Sequence, residues 1–270
     1  MLSKAVPSMS FNDIPSKLNL ALYSKSLNSN YTVIGGVDEA GRGSVLGPLV
    51  IAGVSIKRKD LSSLRRVGVR DSKLLTVKAR HKLFSHIIDL AEHICVYESH
   101  CDEVDQYVYS NMLNKLEAKA MATVIDNIFA MRVYVDACDV NPLRYKECIE
   151  CELGSILRPR IFSLHHADGA NTAVSAASII AKVIRDEEIH KIRSQHSDEI
   201  GSGYPSDRKT MKFIAKWVAK HNSAPHFARK SWKPLRALLE NHRQSIHVKS
   251  GFREEISFTT VTTRTVSSMN

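Results

Sequence analysis

Cysteine is scarce in this 270-residue chain, and its five thiols are an odd number with no secretory apolar segment before them. That argues against a disulfide scaffold and for a reducing, cytoplasmic setting. No apolar run approaches the roughly 20 residues that span a bilayer, so no membrane partner is expected. Cys148 and Cys151 form one C-x-x-C, but no second Cys or His pair stands at zinc spacing, and both read as ordinary thiols. There is no internal repeat to suggest a solenoid.

Positive charge, by contrast, is plentiful. The formal net charge is +10, which favours a polyanionic partner because clustered Lys and Arg release counterions from nucleic-acid phosphates. The excess is local: residues 207–247 hold ten Lys or Arg against Asp207 and Glu240, a net +8.

One continuous series of apolar segments predicts a single α/β domain over 31–247, with a flexible extension at 1–30 and a disordered Ser/Thr-rich tail at 248–270. Tyr31 to Val37 and Leu49 to Ile56 are β-prone and joined through Gly41, Gly43, Gly47 and Pro48, as in a hairpin with a glycine-rich connection. Helical spacing over 76–92 precedes a strand from His93 to Ser99, and a second helix fits 111–130. Arg132–Asp136 and Arg160–Leu164 read as short buried strands. From Asn171 a long helix carries Ala173, Ala176, Ala177, Ile180 and Val183 on one face, small enough for close packing. Residues 207–247 read as basic helices broken at Asn222–Pro225 and Pro234.

Four acids stand out. Asp38 and Glu39 adjoin the end of the first apolar strand, ahead of Gly41-Arg42-Gly43. Neighbouring carboxylates on a strand face opposite ways, so both meet one ion only where the strand ends or bulges; spacing alone fits a solvated acidic turn at least as well. Asp136 ends a buried strand, where an unpaired charge is costly unless it meets a cation. Asp168 precedes the long helix, and a helix cap explains it equally well. Four oxygen donors without a His or Cys set suit Mg²⁺ or Mn²⁺, the ions of phosphodiester hydrolysis.

Around these acids the chain resembles a known family. Gly36-Val37-Asp38-Glu39-Ala40-Gly41-Arg42-Gly43 resembles the signature of ribonuclease HII, the prokaryotic type 2 RNase H, with the archaeal branch nearest. Asp71-Ser72-Lys73, Tyr134-Val135-Asp136, Ala167-Asp168, Val174 to Lys182, Gly201 to Asp207 and Arg229-Lys230-Ser231-Trp232-Lys233 follow in the family's order. Several blocks in order are far more specific than one motif.

The resemblance implies an RNase H-like mixed sheet flanked by helices, with a helical C-terminal part. It implies a monomeric endonuclease that hydrolyses the RNA strand of RNA–DNA hybrids and incises 5′ to ribonucleotides embedded in duplex DNA. It assigns Asp38, Glu39, Asp136 and Asp168 as catalytic metal ligands for Mg²⁺ or Mn²⁺. It further implies that Gly41-Arg42-Gly43 contacts the 2′-OH through its backbone, and that Tyr204 packs on the sugar beyond the scissile phosphate. Lys73, Lys182 and Arg185 are weaker candidates for phosphate contacts, and a solvated helix charge explains each equally well. Two departures stand in this chain, Ser44 where the family often has Pro and Leu74 where it has Lys. His165 and His166 are expected in supporting or surface roles, and Trp217 and Trp232 in packing.

Overall fold

The structure, a computed structural model, describes residues 32–258 except 71, 155–157 and 198, and at Leu74 and beyond residue 245 it describes the backbone alone. Five strands form one mixed sheet: β1 (Val33–Ala40), β2 (Leu49–Lys57), β3 (Ala91–Ser99), β4 (Arg132–Asp136) and β5 (Arg160–Leu164), in the order β3-β2-β1-β4-β5. The pairs β1–β2 and β2–β3 are antiparallel, whereas β1–β4 and β4–β5 are parallel. This is the mixed sheet with flanking helices that the family resemblance implies.

Side-chain alternation along β2 sorts the core into two layers. Val50, Ala52, Val54 and Ile56 pack with Ala176, Ala177 and Ile180 of α7 (Thr172–His196). Leu49 and Ile51 pack on the other face with Leu116, Met121 and Val124 of α4 (Leu113–Ile128). The small residues of α7 allow the close approach expected of them. A Cβ on Gly36 of β1 would lie 2.1 Å from the backbone carbonyl carbon of Ala173, so this glycine is what lets α7 begin directly on the central strand.

A third cluster joins the loop after β1 to the C-terminal helices. Val45 and Leu46 are fully buried against Phe213, Ile214 and Val218 of α8 (Arg208–His221), together with Phe227 and Leu235. Trp217 packs on this cluster, and Trp232 bridges it to the α4 side of the sheet. Lys209, Lys212, Lys216 and Lys220 line the exposed side of α8, and Arg229 alone among the ten basic residues of 207–247 is buried.

Several boundaries differ from the sequence reading. The segment read as one helix over 111–130 is α4 alone, preceded by a separate α3 (Cys101–Tyr109), because Asn111 takes a left-handed backbone between them. Two further helices, α1 (Leu61–Arg66) and α5 (Pro142–Glu152), carry too few apolar residues to show a periodicity. Pro234 begins α9 (Lys233–Phe258) rather than breaking a helix, since a first-turn proline has no amide to lose. That helix runs past the 247 boundary expected for the tail. The Ser/Thr-rich composition starts only near Ser257, and Arg253-Glu254-Glu255 before it are good helix formers. The expected extension 1–30 lies outside the described residues, as do residues 259–270.

Candidate metal and nucleic-acid site

Strand β1 continues through Ala40, with Asp38 opposite Ala52 and Glu39 opposite Ile51 in unbroken register. The expected strand end or bulge is absent, because the apolar run of β2 extends the pairing past the glycines. Asp38 and Glu39 therefore project to opposite faces. Asp38 shares the α7 side with Ala40, beside Ser178; Glu39 shares the α4 side with Val37, near Glu117 and Arg42.

The sheet brings three of the four acids together. Asp38, Asp136 and Asp168 each offer an oxygen within 4.8 Å of the other two. β4 runs parallel to β1 and delivers Asp136 next to Asp38. Asp168 comes from the short α6 (Ala167–Ala170) and is buried, with its carbonyl accepting from Ser175 Oγ at 2.6 Å. The helix cap that might have explained Asp168 is supplied instead by Asn171, whose Oδ1 accepts from the amides of Ala173 and Val174. Asp136 Oδ1 accepts from the Ala167 amide at 2.8 Å, and Asp38 Oδ1 from the Glu39 amide at 2.7 Å.

Asp38, Glu39 and Asp136 hold their protons above the ordinary carboxylate range. Burial, then the charge of Asp136, pushes Asp38 up to about 7. Burial, then Asp38 and Glu117, raises Glu39 well above the usual range, and burial raises Asp136. Glu39 Oε2 is buried with no hydrogen-bond partner. At Asp38, Asp136 and Asp168, oxygen-only donors crowded within 4.8 Å fit a hard divalent cation.

A pH dependence follows. Acids raised in the folded state favour the protonated form, so metal-free stability is lost as pH rises from about 4 through about 7, and a cation restores it. Metal affinity is expected to climb by up to about tenfold per pH unit for each carboxyl that must ionise. Titrating Mn²⁺ calorimetrically at pH 6 and pH 8 checks this: affinity should be higher at pH 8, with more protons released at pH 6.

Arg42 is turned away from the acids' open side. Its Nε lies 2.9 and 3.0 Å from the two carboxylate oxygens of buried Glu117, and its Nη2 donates to Asn114 Oδ1 at 2.8 Å. With the side chain fixed on α4, Gly43 is the exposed residue of this turn, while Gly41 is buried. Gly41 has φ +85°, and a Cβ on Gly43 would meet nothing within 4 Å. Ser44, which replaces the family's proline, closes the turn by donating from Oγ to Gly41 O at 2.8 Å.

Tyr204 stands next to this loop, because Gly203 O accepts from the amides of Val45 and Leu46 at 2.8 and 3.1 Å. Arg185 packs beneath it, with its guanidinium carbon 4.5 Å from the ring centroid. Arg185 is 1% exposed, so it lies behind the tyrosine rather than at the surface where a phosphate would pass. Lys182 Nζ sits 5.7 Å from the same ring and pairs with Asp186 at 2.6 Å. Lys73 is well exposed and reaches Asp168 at 3.5 Å, carried there by the Ser72 Oγ to Ser178 Oγ contact at 2.9 Å. His165 and His166 are exposed.

Glu117, Asn114 and Arg229 were given no role by the sequence reading. Glu117 had a signal available: it falls on the apolar stripe of α4, four residues after Leu113 and three before Ala120, where an acid needs a partner.

Residues 35–235 match the family model for ribonuclease HII. Ribonuclease HII of Cenarchaeum symbiosum is 47% identical over 203 residues, 75% of this chain and 96% of that protein. Ribonuclease HII of Pyrococcus furiosus is 42% identical over 210 residues, covering 77% and 92%. The crystal structure of ribonuclease H2 from Pyrococcus horikoshii superposes with a TM-score of 0.73 at 37% identity, over 78% of this chain and 99% of that one. Fold and family together define a metal-dependent endonuclease of the RNase H-like class. The chain belongs to the ribonuclease HII family, whose activity is cleavage of the RNA strand in RNA–DNA hybrids.

Proposed function

We propose that this chain, besides cutting the RNA strand of hybrids, incises 5′ to single ribonucleotides in duplex DNA and leaves 3′-OH and 5′-phosphate ends. The observation that carries the proposal is the adjacency of the carboxylate cluster to a turn whose Arg42 side chain is tied back and whose Gly43 is left open. Asp38, Asp136 and Asp168 would hold Mg²⁺ or Mn²⁺ on the α7 side of β1, while Glu39, assigned to the same set by the family resemblance, stands on the opposite face and would join them only through a change at the end of β1. Ions held there would, when bound, supply an activated water and stabilise the leaving oxygen. The amides of Gly41-Arg42-Gly43 meet the 2′-OH, the group that separates RNA from DNA. Tyr204 stacks on the sugar beyond the scissile bond, while Lys73 and Lys182 stand where phosphates pass. Arg185 serves the same surface from beneath. The exposed lysines of α8 hold the duplex, and the chain works as a monomer in the cytoplasm during DNA replication and repair.

An RNA–DNA hybrid, an all-DNA duplex and an all-RNA duplex offered together with Mn²⁺ test the reading. Cleavage confined to the hybrid supports it, whereas binding to all three without cleavage supports a nucleic-acid-binding protein with structural acids. Tyr204→Ala should lower incision at an RNA-to-DNA junction by about tenfold or more while changing duplex affinity little. Equal losses in both would remove Tyr204 from its assigned place.

A further inference from the structure

Arg229 opens a motif that the metal site does not use. It is fully buried, and no acid pairs with it in the described structure. Instead its donors go to backbone carbonyls of the turn after β1: Nη1 to Arg42 O at 2.9 Å, Nε to Gly47 O at 3.2 Å, and its own amide to Val45 O at 2.9 Å. Its guanidinium carbon sits 5.0 Å from the Trp232 ring centroid, and Nη2 is buried without a partner. The rest of the motif secures it, since buried Asp105 of α3 accepts from the amides of Lys230 and Ser231 at 2.8 and 2.9 Å. Burying a cation outside ion-pair contact is costly, so the carbonyls of this turn and the Trp232 face hold Arg229 in place, with the charge of Glu117 acting at longer range.

Peptide geometry says what is gained. All described peptide bonds are trans, so in the planar Arg42–Gly43 peptide the C=O and N–H point opposite ways. Arg229 draws the Arg42 carbonyl inward, which turns the Gly43 amide outward. Among the described residues that amide has no hydrogen-bond partner, and the space beside Gly43 is open. The Gly41 carbonyl is likewise engaged, by Ser44 N and Oγ, which turns the Arg42 amide away from Ser44.

We propose that Arg229 is a positioning residue for ribose recognition, which fixes the Arg42–Gly43 peptide so that the Gly43 N–H faces the substrate 2′-OH. This rests on the reading of Gly41–Gly43 given above. It makes the C-terminal motif part of the sugar-reading device without touching the sugar.

The test uses the full chain with Mn²⁺ and two DNA duplexes, one bearing a single ribonucleotide and the other a 2′-fluoro nucleotide at the same place. Single-turnover rates are measured for wild type, Arg229→Lys and Arg229→Gln, with Mn²⁺ affinity measured calorimetrically on the same samples. The ribonucleotide rate should fall about tenfold for Lys and about a hundredfold for Gln, as for loss of an oriented donor. The ribonucleotide preference over 2′-fluoro should shrink at least about fivefold, with Mn²⁺ affinity unchanged. That ratio does not depend on the active fraction, and Arg229→Lys reports alone if the Gln variant does not fold. Equal losses on both duplexes, leaving the ratio intact, overturn the positioning role and leave it purely structural. A wild type that cuts both duplexes equally overturns the reading of Gly41–Gly43 itself, and the positioning role with it.

Discussion

Asp38→Asn should reduce strand cleavage by about a thousandfold or more and yet make the metal-free chain more stable at pH 8. The two effects have one cause. Asp38 lies within reach of Asp136 and Asp168, and burial with that repulsion pushes its carboxyl up to about 7. At pH 8 folding must hold it ionised, at a cost on the order of 4 kcal/mol. Asparagine keeps the oxygen that accepts from the Glu39 amide and removes the charge. Below about pH 4 the wild-type carboxyl is protonated in both states, so the stability gain should vanish there. Thermal melts at pH 4 and pH 8, beside cleavage assays, separate this account from a structural one. A variant that is both inactive and less stable at pH 8 would point to a folding role for Asp38. Asp136→Asn should behave the same way, since its bond from the Ala167 amide needs only an oxygen.

Gly36→Ala should destabilise the fold by about 3 kcal/mol or more and remove most activity together with it. A Cβ there lies 2.1 Å from the Ala173 carbonyl carbon and 2.4 Å from the Val174 amide, both backbone atoms that cannot rotate aside. Helix α7 would have to lift from β1, taking with it Ser175, which holds the Asp168 carbonyl, and Ser178 beside Asp38. Gly43→Ala is the contrast: its added methyl meets nothing within 4 Å, so stability should change little. Denaturant midpoints for the two variants check the comparison, and equal losses would contradict the packing argument.

The strands and the site were legible to different depths. Alternation and β-branched runs marked all five strands, and the alanine-rich face of α7 announced close packing. Helices α1 and α5 were missed because short polar helices bury too few residues to leave a period, whereas α3 was missed although Cys101, Val104 and Asp105 share its buried face. Asp136 was readable as a charge at a buried strand end. The division of Asp38 from Glu39 was not, because it depends on how far β2 pairs, a tertiary property of Leu49–Ile51 rather than of the glycines. Arg42 could be recognised in its motif, but its anchorage on Glu117 joins residues 75 apart in sequence. Arg229 likewise meets Arg42 across 187 residues, a separation at which no periodicity operates.

The central claim is that one site both binds the metal and reads a single 2′-OH. It is tested most directly by incubating the chain and Mg²⁺ or Mn²⁺ with a DNA duplex containing one ribonucleotide, then mapping the cut and its ends. The account predicts a single incision 5′ to the ribonucleotide, leaving 3′-OH and 5′-phosphate, with the all-DNA duplex intact. Cleavage of both duplexes, or a cut whose position ignores the ribonucleotide, would contradict it.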